Sequence, residues 1–311
     1  MGFNATFKPD QLSVGLVVPI ESYATSTTPT MENHIQIAQK ADALSFAALW
    51  LRDVPFNVPS FGDAGQMFDP FVYLGTLAAV TQNIALGTGS IILPLRHPAH
   101  VAKAAASADV LSNGRLILGV ASGDRPEEYP AMNMEFDTRG ARFRDSYAYI
   151  RAMAETFPHF KTDQGESFSA MDMLPKPTAG KIPMLITGGS RQDPQWVAEN
   201  SDGWITYPRS AAQQAAVITD YRTRIANAGL TNKPVMQSLY IDLLDDADAP
   251  ARPIHLGFQS GITFLRSYLQ EIQSIGVNHV AINLRFNQNT IDKTLQTLAD
   301  QLLPDFPTER D

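Results

Sequence analysis

Eight apolar runs of strand length, each followed by a segment of helix length, limit what this chain can fold into more than any other feature. The apolar runs fall at 12–20, 46–51, 84–93, 115–121, 183–187, 203–206, 235–244 and 279–284. The helical segments fall at 31–44, 71–80, 98–111, 142–156, 194–200, 211–228, 262–275 and 291–302. The runs are apolar throughout rather than alternating, as expected of parallel strands covered on both faces. Eight βα units in order predict a closed (β/α)8 TIM barrel. The rival, an open doubly wound sheet, lacks its Gly-x-Gly-x-x-Gly after the first run.

A length of 311 residues suits one barrel. Excursions rich in Pro, Gly, Ser or Asp interrupt the rhythm at 160–183 and 245–257, but no linker parts the chain. The expectation is one domain over 1–311 with short insertions. Cysteine is absent, which excludes disulfides, zinc–thiolate sites, iron–sulfur clusters and a cysteine nucleophile. The 24 Lys+Arg against 32 Asp+Glu give a net charge of -8, which argues against nucleic acid or an anionic membrane as partner. The first twelve residues carry one lysine and no apolar core of a signal peptide, and no run reaches membrane-spanning length. A soluble, cytoplasmic protein is expected. The six histidines show no metal-ligand spacing, so no metal is expected.

In a barrel the chemistry sits where the strands end. Thr187-Gly188-Gly189-Ser190-Arg191 stands out there: glycines let backbone N–H groups approach an anion, and Arg191 adds charge. The alternative is a plain tight turn. Gly87-Thr88-Gly89-Ser90 interrupts a strand, which fits a flat ligand lying on it or a crowded barrel interior. Asp53, beside Arg52, is a candidate general base or half of an ion pair. His97 is a candidate acid or base, or the cap of the helix that Pro98 begins. The loop from Ser122 to Tyr129 carries polar groups, and Tyr129 is a third candidate for proton transfer. The apolar stretch with Phe56, Phe61, Met67 and Phe68 is a substrate wall, a core patch or a contact between copies.

The ordered motifs resemble the bacterial luciferase-like monooxygenase family. They are LGTGSIILPLRH at 86–97, SNGRL at 112–116 with LGVASG at 118–123, LPKP at 174–177, ITGGS at 186–190 and AENSDGW at 198–204. The likeness runs from about residue 12 to residue 303. It implies a barrel that binds FMN, or the deazaflavin F420 in one branch, at the strand ends. Also implied are oxidation of a small organic substrate with reduced flavin and oxygen, a homodimer, and a separate flavin reductase as electron source. By position, Gly188, Gly189, Ser190 and Arg191 would cradle the flavin phosphate. Thr88 and Gly89 would touch the ring, Gly89-Ser90 would form a cis peptide beneath it, and Trp204, Thr206 and Tyr207 would edge the pocket. Luciferase carries a histidine where this chain has Asp53, and an arginine where it has Ser122, so Ser122 holds a cofactor position without the charge. FMN is preferred over F420. Other readings are an F420-dependent oxidoreductase, a flavin-binding barrel without turnover, and a barrel hydrolase or isomerase using Asp53 and Glu127.

Overall fold

A computed structural model describes residues 2–62, 65–161, 167–168 and 170–308. Eight parallel strands follow one another around a closed barrel: β1 (Ser13–Val17), β2 (Ala48–Leu51), β3 (Ala85–Thr88), β4 (Leu116–Ala121), β5 (Met184–Thr187), β6 (Gly203–Thr206), β7 (Val235–Leu243) and β8 (His279–Asn283). The ring closes where Ser13 of β1 pairs with His279 of β8, and β6 pairs with β7 through Ile205 and Met236. The expected barrel is therefore the observed one. The third apolar run is split, with Ile91–Ile92 forming a separate short strand against β4 beyond Gly89 and Ser90.

The helices, in chain order, are α1 (Gly2–Thr6), α2 (His34–Ala43), α3 (Pro70–Val80), α4 (Pro98–Leu111), α5 (Glu128–Ala131), α6 (Arg139–Ala152), α7 (Pro194–Asn200), α8 (Ala211–Asn227), α9 (Ile262–Ser274) and α10 (Ile291–Gln301). Their starts follow local chemistry. Asp69 accepts hydrogen bonds from the Phe71 and Val72 N–H groups ahead of Pro70, and Asp193 accepts one from Gln195 ahead of Pro194. The first excursion forms an antiparallel pair between Phe160–Lys161 and Ser167–Phe168, and residues 162–166 and 169 of it lie outside the described residues. The second forms a hairpin, Arg252–Ile254 with Gly257–Ser260, which adds to β7. Among the described residues no helix is long and apolar enough to cross a membrane.

Two cores result. The larger lies between strands and helices; the smaller fills the barrel with Phe7, Val17, Ala48, Trp50, Ala85, Ile117, Leu185, Ile205, Met236 and Ala281. Trp50 is the bulkiest of these, and Gly87 makes room for it: a Cβ there would sit 2.5 Å from the indole. Crowding thus explains Gly87. The Trp50 Nε1–H donates to His279 Nε2 at 2.8 Å. That leaves the His279 proton on Nδ1, 2.7 Å from the Ser13 hydroxyl, which in turn donates to the Thr6 carbonyl at 2.6 Å. Burial drives the His279 pKa down to about 3, so the imidazole is neutral. Helix α1, which carries too few residues to show a periodicity, closes this end through the Gly2 N–H on the Gly114 carbonyl at 3.1 Å.

Candidate active site

The two-residue period of a strand carries the inner face of the barrel upward to its mouth. Continuing from Val17, Trp50, Gly87, Ile117, Leu185, Ile205, Met236 and Ala281, it reaches Pro19, Arg52, Gly89, Ala121, Thr187, Tyr207, Tyr240 and Asn283. The β3–β5 side is thus built from small residues, whereas β2, β6 and β7 bring Arg52, Tyr207 and Tyr240. Open space lies above Gly89, where a Cβ would meet nothing nearer than Trp50 at 4.0 Å. The Gly89–Ser90 peptide is cis. The Ser90 hydroxyl is hydrogen-bonded to that of Thr187.

Beside this shelf, the chain after β5 turns sharply. Gly188, Ser190 and Arg191 have φ values of 54°, 43° and 60°, in the left-handed region. The Gly188 N–H is spent on the Ile205 carbonyl and the Gln192 N–H on the Gly189 carbonyl, both at 2.8 Å. Among the described residues, no acceptor takes the N–H groups of Gly189, Ser190 and Arg191 between them. The turn is anchored from three sides. Trp204 Nε1 donates to the Gly188 carbonyl at 2.9 Å, the Ser190 hydroxyl donates to the Thr187 carbonyl at 2.8 Å, and Gln192 Nε2 donates to the Gly140 carbonyl of α6 at 2.7 Å. Successive N–H groups held in this way point to one side of the turn with no acceptor of their own, an arrangement that in general suits an anion.

Other sequence candidates fall in different places. Tyr207 stands half-exposed at the edge of the turn, with a ring carbon 3.9 Å from where a Gly188 Cβ would lie. Trp204, expected at the pocket edge, instead faces the helices, its ring 5.1 Å from that of Tyr221. Thr206 also faces outward and accepts from Arg209 Nη1 at 2.5 Å. Thr88 is fully buried, and its hydroxyl donates to the Gly119 carbonyl at 2.8 Å. Strand parity, hidden where both faces are apolar, decides all three. Ser122 is buried, and its carbonyl accepts from the Tyr129 hydroxyl. Arg191 is exposed at the outer lip of the turn.

The three proton-transfer candidates are not brought together. Asp53 is buried, with Oδ2 accepting from Arg96 Nε at 2.8 Å and from the Ile92 N–H at 3.1 Å, and Oδ1 accepting from Arg96 Nη2 at 2.7 Å. Arg96 also donates to Asp69 at 2.7 Å. Burial would pull the Arg96 pKa down, but the Asp53 and Asp69 carboxylates outweigh it and hold the pKa above its usual range. His97 is exposed and caps α4, its Nδ1 accepting from the Ala99 N–H at 3.2 Å. Tyr129 is completely buried, and burial pushes its pKa up to about 12. Glu127 is exposed and Asp53 is tied to Arg96, so the acid–base pair of the hydrolase reading is not built.

Glu128 was not singled out from the sequence. Its side chain is 3% exposed, Oε1 lies 3.9 Å from Arg125 Nη1, and among the described residues Oε1 has no hydrogen-bond partner. Burial raises its pKa to about 7; Arg125 pulls the other way, and Asp53, Asp124 and Glu127 add to the rise. The Arg125 guanidinium lies 4.8 Å from the Phe61 ring centre. The only sequence signal was an acidic residue beside an aromatic one, and that does not reveal burial. Among the gaps in the packing, one beside α4 and α6 and one between Tyr73 and Pro19, at the end of β1, each have room for about one water.

The family model for luciferase-like monooxygenases matches residues 12–284. An uncharacterised Mycobacterium tuberculosis protein is 32% identical over 160 residues, covering 49% of this chain and 56% of that protein. Pyrimidine monooxygenase RutA of Allorhizobium ampelinum is 30% identical over 203 residues, 61% of this chain and 54% of its own. The oxygenase component of a flavin-dependent trigonelline monooxygenase from Acinetobacter baylyi is 34% identical over 119 residues, 38% of this chain and 32% of its own. The chain thus spans only about half of the first of these relatives. Three solved structures share the fold. The monooxygenase RslO1 of Streptomyces bottropensis has a TM-score of 0.77 at 18% identity, covering 95% of this chain and 100% of its own. An F420-dependent secondary alcohol dehydrogenase scores 0.76 at 14%, covering 96% and 99%. The oxygenating constituent of 3,6-diketocamphane monooxygenase from Pseudomonas putida, in complex with FMN, scores 0.73 at 14%, covering 96% and 100%.

Proposed function

The chain belongs to the luciferase-like monooxygenase family, and from that premise we propose that it is a flavin-dependent monooxygenase acting with reduced FMN and oxygen on a small organic substrate. The observation that carries this reading is the anchored turn with three uncommitted N–H groups beside a shelf of small residues. The turn fits a phosphate and the shelf fits a flat ring. FMN, when bound, supplies the redox chemistry with oxygen.

The protein's part is to bind, orient and exclude water. In this reading the N–H groups of Gly189, Ser190 and Arg191 hold the phosphate. The Arg191 guanidinium adds charge where Ser122 supplies none. Gly89, Ala121 and Thr187 support the ring, and Tyr207 borders it. Phe56 and Phe61, half-exposed on the loop after β2, keep the mouth apolar. Thr88, Trp204 and Thr206 act from behind the strands, Trp204 by fixing the Gly188 carbonyl. Asp53, His97 and Tyr129 act by holding loops: Asp53 through Arg96, His97 as the cap of α4, Tyr129 through the Ser122 carbonyl.

A separate reductase supplies reduced FMN, as the kinship to an oxygenase component supports. The protein works in the cytoplasm as one domain and as a homodimer. Val72 on α3 and Leu111 on α4, 70% and 66% exposed, are apolar side chains open to a second copy. Light scattering tests the dimer.

Anaerobic titration with reduced FMN and reduced riboflavin tests the central reading. FMN is expected to bind more tightly, because only FMN carries the phosphate. Oxygen uptake in the presence of a reductase is then expected to exceed that of the reductase alone. Equal binding of both flavins would remove the phosphate cradle. The fold likeness to an F420-dependent dehydrogenase supports a second reading on the same shelf. Tight F420 binding with no FMN binding would favour it, and flavin binding without substrate oxidation would leave a barrel that binds without turnover.

A further inference from the structure

The loop after β2 is held from both flanks of the mouth. From the β8 side, Arg285 Nη2 donates to the Gly62 carbonyl at 2.6 Å and to the Ser26 carbonyl at 3.0 Å. From the β4 side, the Arg125 guanidinium rests on the ring of Phe61, in the short turn Pro59–Phe61. In the barrel order β8-β1-β2-β3-β4, these two arginines stand two strands away on either side of β2. The tip of the loop therefore leans across strand ends that are not its own neighbours in sequence.

Arg125 has Glu128 beside it. The Glu128 side chain is almost wholly buried, 3.9 Å from Arg125 Nη1, and Oε1 has no hydrogen bond among the described residues. A buried carboxyl so placed interacts with its surroundings mainly through its charge. We propose that Glu128 is a positioning residue whose carboxylate holds Arg125 against Phe61 and so holds the β2 loop over the barrel mouth, releasing it on protonation. This deepens the proposed function, since it rests on the mouth being the working site.

The groups facing Glu128 set when this happens. Burial is the largest influence and favours the protonated form. Arg125 favours the charged form. Asp124 and Glu127 on the same loop, and Asp53 at the end of β2, oppose it. Tyr129 follows Glu128 directly, and its hydroxyl is committed to Ser122. The resulting pKa of about 7 places the change near neutral pH. Above it the charged carboxylate draws on Arg125; below it the attraction is lost.

Amide hydrogen exchange in residues 54–62 tests the idea on the full chain without flavin, so the result does not depend on cofactor identity. Rates are corrected for the intrinsic pH dependence and compared at pH 6 and pH 8. In the wild-type protein the segment is expected to exchange about tenfold faster at pH 6 than at pH 8. Glu128→Gln is expected to exchange at the fast rate at both pH values, and Arg125→Gln likewise. Glu128→Asp is expected to keep the step. Continued protection of the barrel strands in the variants shows that they fold. If Glu128→Gln retains wild-type protection at pH 8, or if the wild type shows no step, the proposal is overturned. Should Glu128→Gln fail to fold, Phe61→Leu replaces it: loss of the step supports the proposal, and an unchanged step overturns it. Failure of flavin to bind alongside a clear step would remove the flavin reading and leave the latch standing.

Discussion

The two ends of the barrel treat a buried ionisable group in opposite ways. At the closed end, His279 is fully buried and both ring nitrogens are engaged, by Trp50 and by Ser13. At the open end, Glu128 is buried nearly as deeply, but among the described residues Oε1 has no hydrogen bond, and Arg125 Nη1 lies 3.9 Å away. Burial moves both pKa values toward the neutral form, down to about 3 for the histidine and up to about 7 for the carboxyl. Satisfied hydrogen bonds make the first group a silent part of the packing. The second remains able to change charge near neutral pH. Burial alone therefore does not separate a structural residue from a responsive one; the number of partners does.

The largest expected effect comes from emptying the closed end. Trp50→Ala removes the ring that fills the barrel and strands His279 Nε2, so a loss of about 3–5 kcal/mol is expected in urea unfolding. A loss below about 1 kcal/mol would mean that the interior collapses around the gap.

Next comes Glu128→Gln. The folded-state pKa of Glu128 is raised from 4.5 to about 7, so folding favours its protonated form. That contribution is fully present below pH 4.5 and is lost as the pH rises through about 7. The variant should therefore be more stable than wild type at pH 8, by up to about 3 kcal/mol, and equal to it at pH 4. An identical difference at both pH values would show that Glu128 does not titrate differently on folding.

The two groups should also oppose one another in a pH series. His279 has its pKa lowered from 6.5 to about 3, so its contribution is present above 6.5 and is lost as the pH falls toward 3. Between pH 4.5 and 6.5 the two slopes, each about 1.4 kcal/mol per pH unit, cancel. Glu128→Gln should expose the histidine slope in that window, as unfolding midpoints that fall steadily with acid. A flat profile in the variant would mean that His279 keeps its ordinary pKa.

The smallest effect belongs to the lip of the turn after β5. Arg191 is exposed, so Arg191→Ala should weaken FMN binding by about tenfold or less and leave riboflavin binding unchanged. Equal weakening of both flavins would place Arg191 away from the phosphate.

Much of the fold was legible because periodicity and apolar content are local. The runs at 46–51 and 235–244 announced β2 and β7, and Asp69-Pro70 announced the start of α3. The Gly188–Arg191 turn was legible too, because glycines after a strand carry a backbone meaning of their own. What faces the mouth was not. Strands covered on both sides are apolar on both sides, so nothing local separated the inward Tyr207 from the outward Thr206 and Trp204.

The chain by itself determined eight βα units, their order and the glycine-rich turn after the fifth strand, since each depends on residues close in sequence. Only the tertiary structure decided which side chains work together. Ring closure brings Ser13, Trp50 and His279 to one point and sets Arg125 against Phe61. Partners this far apart in sequence leave no local trace, and whether a carboxyl is silent or responsive depends on those partners and on the water they exclude.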